Sequence, residues 1–284
     1  MISAVLVLYN PNKYEKERVK FLTNYISNIF VIDNSPKENQ EFPINNKNIT
    51  YLPQDKNIGI AAALNIGVLK SKEIGCKYSL ILDQDSCFNQ SNLKLHLNNS
   101  IELFEKYKKI AVIATNAEYM GKTKEELVEV KSAINSGSII SIDKWNKVGG
   151  YNEELFLDHV DHEFCYKLKK QNFQIFLNTK IFMEHSVGIQ KKFNFLGKSF
   201  ISSGHSSLRQ YYYIRNALYL RKEFPDLSKD FNIFLREMII RIISFFYEKN
   251  TLKKCVSFSL GVLHYFISRY GSLEGHKLFN YLNK

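Results

Sequence analysis

Residues 78–85 read YSLILDQD, an apolar run that ends in two aspartates. The first five residues, Tyr78–Leu82, have the apolar, β-prone character of a buried strand. Carboxylates are costly inside a core, but at the carboxyl end of a parallel strand they face the ligand crevice of an α/β sheet. Asp83 and Asp85 therefore predict oxygen ligands for Mg²⁺ or Mn²⁺ and, through the ion, for a diphosphate. The alternative is a turn with two solvated acids.

Outward from this strand, strand-like and helix-like stretches alternate through the first half of the chain. The predicted strands are Ile2–Leu8, Ile29–Asp33, Ile49–Leu52, Tyr78–Leu82 and Ile110–Ala114, and the predicted helices are Glu15–Ile29, Ile60–Ile74 and Leu93–Tyr107. This alternation implies right-handed crossovers and a mostly parallel sheet that is covered on both faces. The predicted fold class is therefore α/β, of the nucleotide-binding type.

After Asn116 the regular alternation of predicted strands and helices ends. The sequence predicts a loop or hairpin at Glu118–Lys131, short helices at Ile142–Lys147 and Asp161–Lys170, and a late strand at Phe173–Phe176. From Phe193 onward the chain is aromatic and basic, and it is predicted to be helical, with Gln210–Asn216 at its centre. We predict a boundary near residue 205, which gives a catalytic domain over 1–205 and a helical region over 206–284.

Composition and charge narrow the class of protein. The 284 residues suffice for one large domain with an appendage, and the net charge of +11 indicates an anionic partner. That partner would be nucleic acid, an anionic membrane surface or a phosphorylated substrate. Cys76, Cys87, Cys165 and Cys255 form no C-x-x-C pair, which argues against a disulfide framework or a zinc site and fits a reducing cytoplasm. The N-terminus lacks a basic leader, so no signal peptide is expected.

Polar side chains follow four successive predicted strands. They are Tyr9-Asn10, Asp33-Asn34, Asp55 to Asn57 and Asp83 to Asp85, and in a parallel sheet all four would face one crevice. Asp33 would accept hydrogen bonds from a base or ribose, or else act as a helix N-cap or turn former. The stretch Asn57–Asn65 opens a helix with small residues, which would let backbone approach a ligand at the helix terminus or allow close packing of the helix on the sheet.

A second acidic cluster, Asp158, Asp161 and Glu163, precedes a predicted helix. Carboxylates this close raise one another's pKa, which is typical of functional sites. We predict Asp161 as a general base, with Glu163 nearby and Asp158 as the alternative. An acidic first turn that the helix dipole stabilises is the other interpretation. His185 is a candidate third metal ligand.

These pieces, in this order, resemble the inverting glycosyltransferases of family 2, which have the GT-A fold. The resemblance covers roughly residues 1–225 and is carried by Val5–Asn10, Val31–Ser35, Asn57–Gly67, Leu82–Asp85, Asn135–Gly137, Gly149–Phe156, Asp158–Cys165 and His185. Within the family, Phe156–Cys165 is most similar to the bacterial rhamnosyltransferase branch. Val160 stands where other branches have Glu, and this leaves Asp161 as the base.

The resemblance implies a role for each of these residues. Asp83 and Asp85, with Mn²⁺ or Mg²⁺ and with His185 as a late contact, would hold the diphosphate of a nucleotide sugar. Asp161 would deprotonate the acceptor hydroxyl, and the anomeric carbon would invert. Nucleoside and diphosphate contacts would come from Tyr9, Asn10, Asp33, Asn57, Asn65 and Gln84. The sugar or acceptor pocket would involve Asn135, Ser136, Gly137, Trp145, Asp158 and Glu163. Trp145 would stack on a sugar or, alternatively, pack in the core.

The branch resemblance implies dTDP-L-rhamnose as the donor and a glycan, free or linked to a lipid diphosphate, as the acceptor in bacterial surface polysaccharide assembly. A UDP-hexose or UDP-N-acetylhexosamine donor is the alternative within the family. Outside it, the chain would be a non-enzymatic nucleotide- or nucleic-acid-binding module. A nucleotidyltransferase would need a glycine-rich loop after Leu8, and Tyr9–Lys13 lacks one.

The C-terminal region predicts contact with a membrane surface. The apolar runs in Phe231–Tyr247 are far shorter than the ~20 residues of a spanning helix. Arg236, Arg241 and Lys249 beside Phe and Ile fit a helix that lies in the interface of an anionic membrane. A buried packing helix or a homodimer contact is the alternative, and no motif of an RNA- or DNA-binding module is present. We expect a cytoplasmic protein that is peripheral to the inner face of the plasma membrane.

Overall fold

The computed structural model describes residues 1–37, 46–117, 125–184, 191–195, 197–202, 204–228 and 230–283. The chain forms two compact units. The first comprises Met1–Glu153 and Val160–Ser186, and the second comprises Glu154–His159 and Val187–Lys284. The functional boundary near residue 205 stays a prediction.

Strands and helices alternate in the first unit as the sequence predicts. In chain order they are β1 Ile2–Leu8, α1 Lys13–Leu22, β2 Ile29–Asp33, β3 Ile49–Pro53, α2 Ile60–Glu73, β4 Tyr78–Asp83, α3 Gln90–Lys106, β5 Ile110–Ala117, β6 Leu127–Glu129, β7 Ile139–Ser141, α4 Ile142–Lys147, α5 Val160–Lys170 and β8 Gln174–Met183. A 3₁₀ helix, Glu153–Leu155, precedes α5. All five strands predicted in the first half of the chain are present.

Helix α1 is shorter than the predicted Glu15–Ile29. It begins after Asn12, whose side chain accepts from the amides of Tyr14 and Glu15 while Glu15 accepts from the Asn12 amide, forming a capping box. It ends at Leu22, and the C-cap residue Thr23 donates its amide to the carbonyl oxygens of Lys20 and Phe21 and its hydroxyl to that of Lys20 at 2.8 Å. The polar turn that follows leads directly into β2.

The main sheet has eight strands in the order β3-β2-β1-β4-β7-β5-β8-β6. Strands β3, β2, β1 and β4 pair in parallel, as do β5 and β8, whereas β6 and β7 run antiparallel to their neighbours. The prediction of a mostly parallel sheet is confirmed. Leu8 of β1 is in register with Asp33, and Val7 is in register with Asp83. The acidic ends of β2 and β4 therefore flank the end of β1.

Helices cover both faces of this sheet. On one face α2 packs so closely on β1 that a Cβ at Gly67 would lie 2.3 Å from Cγ1 of Val5. On the other face a buried apolar cluster joins alternate residues of β1 to α1 and α3, including Leu6, Val19, Leu22 and Leu93. Gly67 thus serves close helix–sheet packing. Ala61 and Ala63, within the Asn57–Asn65 stretch, are fully buried, which fits the packing interpretation and is compatible with a ligand at the helix terminus.

The second unit contains β9 Lys191–Phe195, β10 Lys198–Ser202, α6 Ser207–Glu223, α7 Phe231–Phe245, α8 Thr251–Phe266 and α9 Phe279–Asn283. The prediction of helix from Phe193 onward is wrong for its first ten residues, because β9 and β10 form an antiparallel hairpin. The strands pair with Phe193 opposite Phe200, whose rings stack at 5.6 Å, and Gly197 at the turn adopts φ +71°. No helix among the described residues is long and apolar enough to cross a membrane.

The core of the second unit lies between α6 and α8. Tyr211 and Tyr212 of α6 are fully buried and cluster with Leu260 and Leu273. A Cβ at Gly261 would lie 2.6 Å from the Tyr211 carbonyl oxygen, so glycine is required for the close approach of the two helices. The aromatic residues at the centre of the C-terminal region are therefore core residues.

Candidate active site

The acid that ends β2 is buried and held from two sides. Asp33 is 0% exposed, and it accepts hydrogen bonds from the Ser35 amide at 2.9 Å and from the Tyr51 hydroxyl at 2.7 Å. Burial and then the hydrogen bond to Asp33 raise the pKa of Tyr51. The predicted turn-forming role of Asp33 is present, and its role as a nucleoside contact stays a prediction. Tyr51, which the sequence reasoning missed, fixes the orientation of this carboxylate.

The loop after β1 is tied to the ends of both neighbouring strands. The Asn10 amide donates to the Ser35 hydroxyl at 2.7 Å, and the Tyr9 amide donates to Oε1 of Gln84 at 2.7 Å. Arg18 of α1, which the sequence reasoning missed, donates to the Gln84 carbonyl oxygen at 3.1 Å. The Tyr9 side chain is itself exposed. The residues that follow β1, β2 and β4 are thus hydrogen-bonded to one another at the carboxyl edge of the sheet. They include Tyr9, Asn10 and Gln84, which the sequence predicted as nucleoside or diphosphate contacts.

The two aspartates of the opening stretch occupy the predicted position at the end of β4. Asp83 is the last residue of the strand, Asp85 follows in the loop, and both are half-buried. The Asp83 amide donates to Oγ of Ser136 at 3.3 Å, and Ser136 is also hydrogen-bonded to Ser86. The predicted pocket residue Ser136 therefore lies directly beside the aspartate pair.

Gly137 belongs to the loop that reaches Asp83, and its backbone requires glycine. Its φ is +77°, and a Cβ there would lie 2.5 Å from Oγ1 of Thr115. Its carbonyl oxygen lies 2.8 Å from Nε2 of His96, a fully buried residue whose pKa burial lowers to about 4. Neutral His96 thus donates to this carbonyl, a support that no sequence motif indicated. Asn135, half-buried, lies two residues earlier in the same loop.

The start of α2 also faces the ligand edge. Asn57 accepts from the Gly59 amide at 2.9 Å, and Gly59, with φ +86°, is the N-cap residue of α2 and provides no side-chain cap. The first amides of α2 therefore have no side-chain acceptor at the N-cap, which suits an approaching anion. Asn57 is positioned as predicted, although its contact with a diphosphate stays a prediction.

Asn65, predicted to line the diphosphate side, is engaged in a structural clamp. Its amide group donates to the Tyr151 carbonyl oxygen at 2.9 Å and to Glu153 at 2.8 Å, and its carbonyl accepts from the Tyr151 amide at 2.8 Å. Its role toward the diphosphate stays a prediction. Trp145 is also internal: it is 7% exposed, and a Cβ at Gly150 would lie 3.1 Å from its ring. The core-packing interpretation of Trp145 fits this burial, and stacking on a sugar stays a prediction.

Tyr151, the residue that Asn65 holds, is buried against α5. Its ring is buried 4.4 Å from Phe164, and its hydroxyl has no hydrogen-bond partner among the described residues. Burial raises the pKa of Tyr151 well above its usual value, and the thiol of Cys165 adds to this. The charges of Asp161 and Asp83 raise it further.

Within the second acidic cluster, Asp161 is the more accessible carboxylate of α5. It is half-buried in the first turn, where its Oδ1 accepts from the His162 amide at 2.8 Å. Glu163 is 2% exposed and pairs with Lys167 at 3.3 Å, and burial raises the pKa of Glu163. The geometry thus leaves Asp161 as the acid of α5 that is available to an incoming group.

Asp158 belongs to the second unit and is held there by α6. Its carboxylate is 8% exposed and accepts from Nε of Arg209 at 2.9 Å. Asn216 donates to the carbonyl oxygens of Leu157 and Asp158 at 2.7 and 2.9 Å. An ion-paired, buried carboxylate is poorly suited to take a proton at neutral pH. The role of Asp158 in an acceptor pocket stays a prediction.

The donor set at the sheet edge fits a divalent cation that also binds a diphosphate. The described residues contain no cluster of three or more His, Cys, Asp or Glu side chains suited to a metal. The carboxylates of Asp83 and Asp85 remain as donors, and Mg²⁺ is commonly held by one or two carboxylates together with substrate phosphates. His185, the predicted third ligand, lies outside the described residues.

Similarity to known proteins agrees with this geometry. The chain is 28% identical over 265 residues to the dTDP-rhamnosyl transferase RfbF of Shigella flexneri, and the match covers 85% of this chain and 86% of that protein. Its structure is similar to that of GalNAc-T7 with UDP, GalNAc and Mn²⁺, with a TM-score of 0.56 and 15% identity over 78% of this chain. The match spans about half, 47%, of that longer chain and shows a common GT-A-like fold.

The family model for glycosyl transferase family 2 matches residues 3–194. This span contains the four acidic or amide strand ends, the Asn135–Gly137 loop and Asp161. The resemblance and the fold class predicted from the sequence are both confirmed. The chain belongs to glycosyl transferase family 2.

Proposed function

We propose that the protein transfers L-rhamnose from dTDP-L-rhamnose to a hydroxyl group of a glycan, with inversion at the anomeric carbon. The observation that carries the chemistry is a pair of half-buried carboxylates: Asp83 ends β4 beside the Asn135–Gly137 loop, and Asp161 lies in the first turn of α5. One acid is suited to the leaving diphosphate and the other to the attacking hydroxyl. The rhamnosyl donor is supported by the similarity to RfbF, which extends over most of both chains.

Residues of the sheet edge would bind the donor. Asp33, oriented by Tyr51 and Ser35, offers a fixed acceptor for the base or ribose, and the exposed Tyr9 ring and Asn10 lie at the neighbouring strand end. The start of α2, beside Asn57 and Gly59, would face the diphosphate. Asp83 and Asp85 would hold Mg²⁺ or Mn²⁺, which when bound supplies positive charge to offset that of the departing nucleoside diphosphate.

Asp161 would act on the acceptor. Its half-buried carboxylate takes the proton from the acceptor hydroxyl as the hydroxyl oxygen bonds to the anomeric carbon. The bond from that carbon to the diphosphate oxygen breaks on the opposite face, and this inverts the configuration. Glu163, buried and paired with Lys167, is unsuited to this step and instead stabilises the start of α5.

The proposed acceptor is a glycan linked to a lipid diphosphate, used in bacterial surface polysaccharide assembly at the cytoplasmic face of the plasma membrane. The net charge of +11 supports an anionic acceptor of this kind. The proposal includes peripheral contact with that membrane, and neither homodimer formation nor nucleic-acid binding is part of it.

A thermal-shift panel tests the donor and the metal together. We expect dTDP-L-rhamnose with Mn²⁺ or Mg²⁺ to raise the unfolding temperature, and the metal-chelated sample to respond less. Other dTDP-sugars and UDP-sugars serve as matched ligands. A larger shift with a UDP-hexose or UDP-N-acetylhexosamine would replace the proposed donor. No shift with any nucleotide sugar, together with no turnover, would overturn the enzyme proposal.

A further inference from the structure

Helix α7 exposes a continuous row of large apolar side chains. Phe231, Leu235, Ile239, Ile242 and Phe246 are 54%, 45%, 49%, 37% and 69% exposed. Their spacing of four, four, three and four residues places them on one face of the helix and its C-cap. We call this row the α7 stripe. Large exposed patches of this kind on a soluble protein mark an interaction site.

Helix α8 has a second exposed row. Leu252, Leu263 and Phe266 are 70%, 53% and 74% exposed, and Ile267, directly after the helix, is 59% exposed. These residues form the α8 stripe. The face of α8 that packs in the core carries a different set of residues: Lys254, Ser257, Leu260, Gly261 and His264. The α8 stripe is therefore not needed for the core of the second unit.

The charges beside the two stripes are of one sign. From Phe231 to Phe266, all of which the structure describes, the sequence has five basic and two acidic residues, a net charge of +3. Neither acid is fully exposed, and Glu248 forms a buried ion pair with Lys254. Arg236 and Lys249, by contrast, are exposed beside the α7 stripe. A partner that binds the α7 stripe and the α8 stripe must therefore offer an apolar interior to the stripes and negative charge at its boundary to Arg236 and Lys249.

A second copy of the chain fits this requirement poorly. In a two-fold interface the same surface meets itself, so a surface of net positive charge would face an identical positive one, and like charges oppose association. A spanning helix is excluded for α7, because its 15 residues are fewer than the ~20 needed. An anionic bilayer accepts apolar side chains below its headgroups and attracts basic ones at its surface.

We propose that the α7 stripe and the α8 stripe dock the protein on the surface of an anionic lipid bilayer. The stripes insert between headgroups while Arg236 and Lys249 remain at headgroup level. This surface assigns the membrane contact of the proposed function to named side chains and rests on that part of it, but it does not depend on the identity of the donor sugar. Its failure and the failure of the rhamnosyl proposal are therefore separate results.

Sedimentation of the full chain with lipid vesicles tests the surface. We expect binding to phosphatidylcholine vesicles that contain phosphatidylglycerol, weaker binding without phosphatidylglycerol, and release by salt. Substituting Leu235→Ser and Leu252→Ser together should lower the vesicle partition coefficient roughly tenfold or more. The matched control is Leu69→Ser with Leu95→Ser, two leucines of α2 and α3 that are 45% and 44% exposed. The control should bind vesicles as the wild type does.

A fluorescence measurement reports insertion directly. The chain has a single tryptophan, Trp145, which is 7% exposed and gives a constant buried background. In a Phe246→Trp variant, the added emission should shift to the blue with phosphatidylglycerol vesicles, whereas wild-type emission should not change. An unshifted spectrum, equal binding to both vesicle types, or equal binding of the two double-serine variants would overturn the proposal. So would light scattering that shows a dimer which Leu235→Ser with Leu252→Ser dissociates.

Discussion

At the sheet edge, Asp33 and Asp83 end strands that pair with β1 at Leu8 and Val7, so the hydrogen-bonded register sets their positions. In the segment Glu154–His159, by contrast, side chains from α6 hold the backbone. Arg215 and Asn216 both donate to the Leu155 carbonyl oxygen at 2.9 Å from 60 and 61 residues away. Backbone pairing places Asp33 and Asp83, whereas distant side chains hold the segment that carries Asp158.

The segment Glu154–His159 needs such support because its backbone is strained. Phe156, Asp158 and His159 have φ values of 64°, 60° and 61°, each costing on the order of 1 kcal/mol in a residue other than glycine. Arg215, fully buried, also donates to the Glu154 carbonyl oxygen at 3.1 Å and lies over the Tyr212 ring at 5.1 Å. We call the ends of β2 and β4 the register-defined edge, because strand pairing positions them, and we expect their backbone to keep its position when nearby side chains are substituted. We call Glu154–His159 the side-chain-held segment, and we expect its backbone conformation to depend on both Arg215 and Asn216.

The largest effect is expected at Asp161, which follows the strained segment in the sequence. Asp161→Asn keeps the size of the side chain but removes the base, and we expect a loss of kcat of roughly a thousandfold. Donor affinity, measured by calorimetry, should change little. Asp143→Asn on α4 is an exposed control that should leave kcat unchanged. An Asp161→Asn enzyme with near wild-type kcat would assign the base to another residue.

The next effect concerns the register-defined edge. Asp83→Ala removes one of two carboxylates that are suited to the metal and diphosphate, and we expect a loss of kcat/KM on the order of a hundredfold. Unlike Asp161→Asn, it should also weaken the metal-dependent binding of the nucleotide sugar. The measurement is a titration of donor at several Mn²⁺ concentrations. Donor binding that is unaffected by Asp83→Ala would separate Asp83 from the diphosphate site.

A smaller effect tests the side-chain-held segment. Asn216→Ala removes the amide that serves the carbonyl oxygens of Leu155, Leu157 and Asp158, and we expect a loss of about 2 kcal/mol in the free energy of unfolding. Urea unfolding followed by circular dichroism measures it. Asn146→Ala, at an exposed position of α4, is the matched control. Equal stability of the two variants would show that the segment holds its conformation without Asn216.

The smallest effect is a pH dependence at the sheet edge. Burial lowers the pKa of His96 to about 4, below its usual 6.5, so its stabilising contribution is complete above 6.5 and is lost as pH falls from 6.5 toward 4. We expect a loss of about 1 kcal/mol between pH 6.5 and 5.5. His205 and His264 in the second unit also have pKa values lowered to about 4. His96→Gln should therefore reduce the slope of stability with pH without abolishing it.

The part of the site that depends on local sequence was predictable. An apolar run followed by an acid identifies β2 and β4, and parallel pairing then brings Asp33 and Asp83 to one edge. The support of Asp33 was not predictable, because Tyr51 reaches it through the fold from 18 residues away. Ser136 was predicted as a pocket residue, but its hydrogen bond with the Asp83 amide, 53 residues away, was not. A phenol or a hydroxyl in a loop carries no periodic signal.

The same limit applies to the fold. Strands β1 to β5 are long enough to be read from their apolar runs, but β6 and β7 have three residues each and exist through pairing with distant strands. The hairpin formed by β9 and β10 was missed because its residues do not alternate regularly between polar and apolar, so no strand periodicity marks it in the sequence. Arg215 and Asn216 were recognised as part of a basic, aromatic stretch, but their buried bonds to Glu154 and Leu155 depend on tertiary structure.

Strand β7 has a consequence for the route of the chain. It runs antiparallel to β4, with Ile139 opposite Leu80, so the residues that lead into it arrive at the end of β4 where Asp83 lies. A parallel strand of the same length would start at the opposite rim, about 10 Å away. Because β7 is reversed, the Asn135–Gly137 loop that precedes it lies at the edge of the sheet that carries Asp83. The chain then leaves β7 at the opposite edge, where α4 begins, and no additional connection along the sheet is needed.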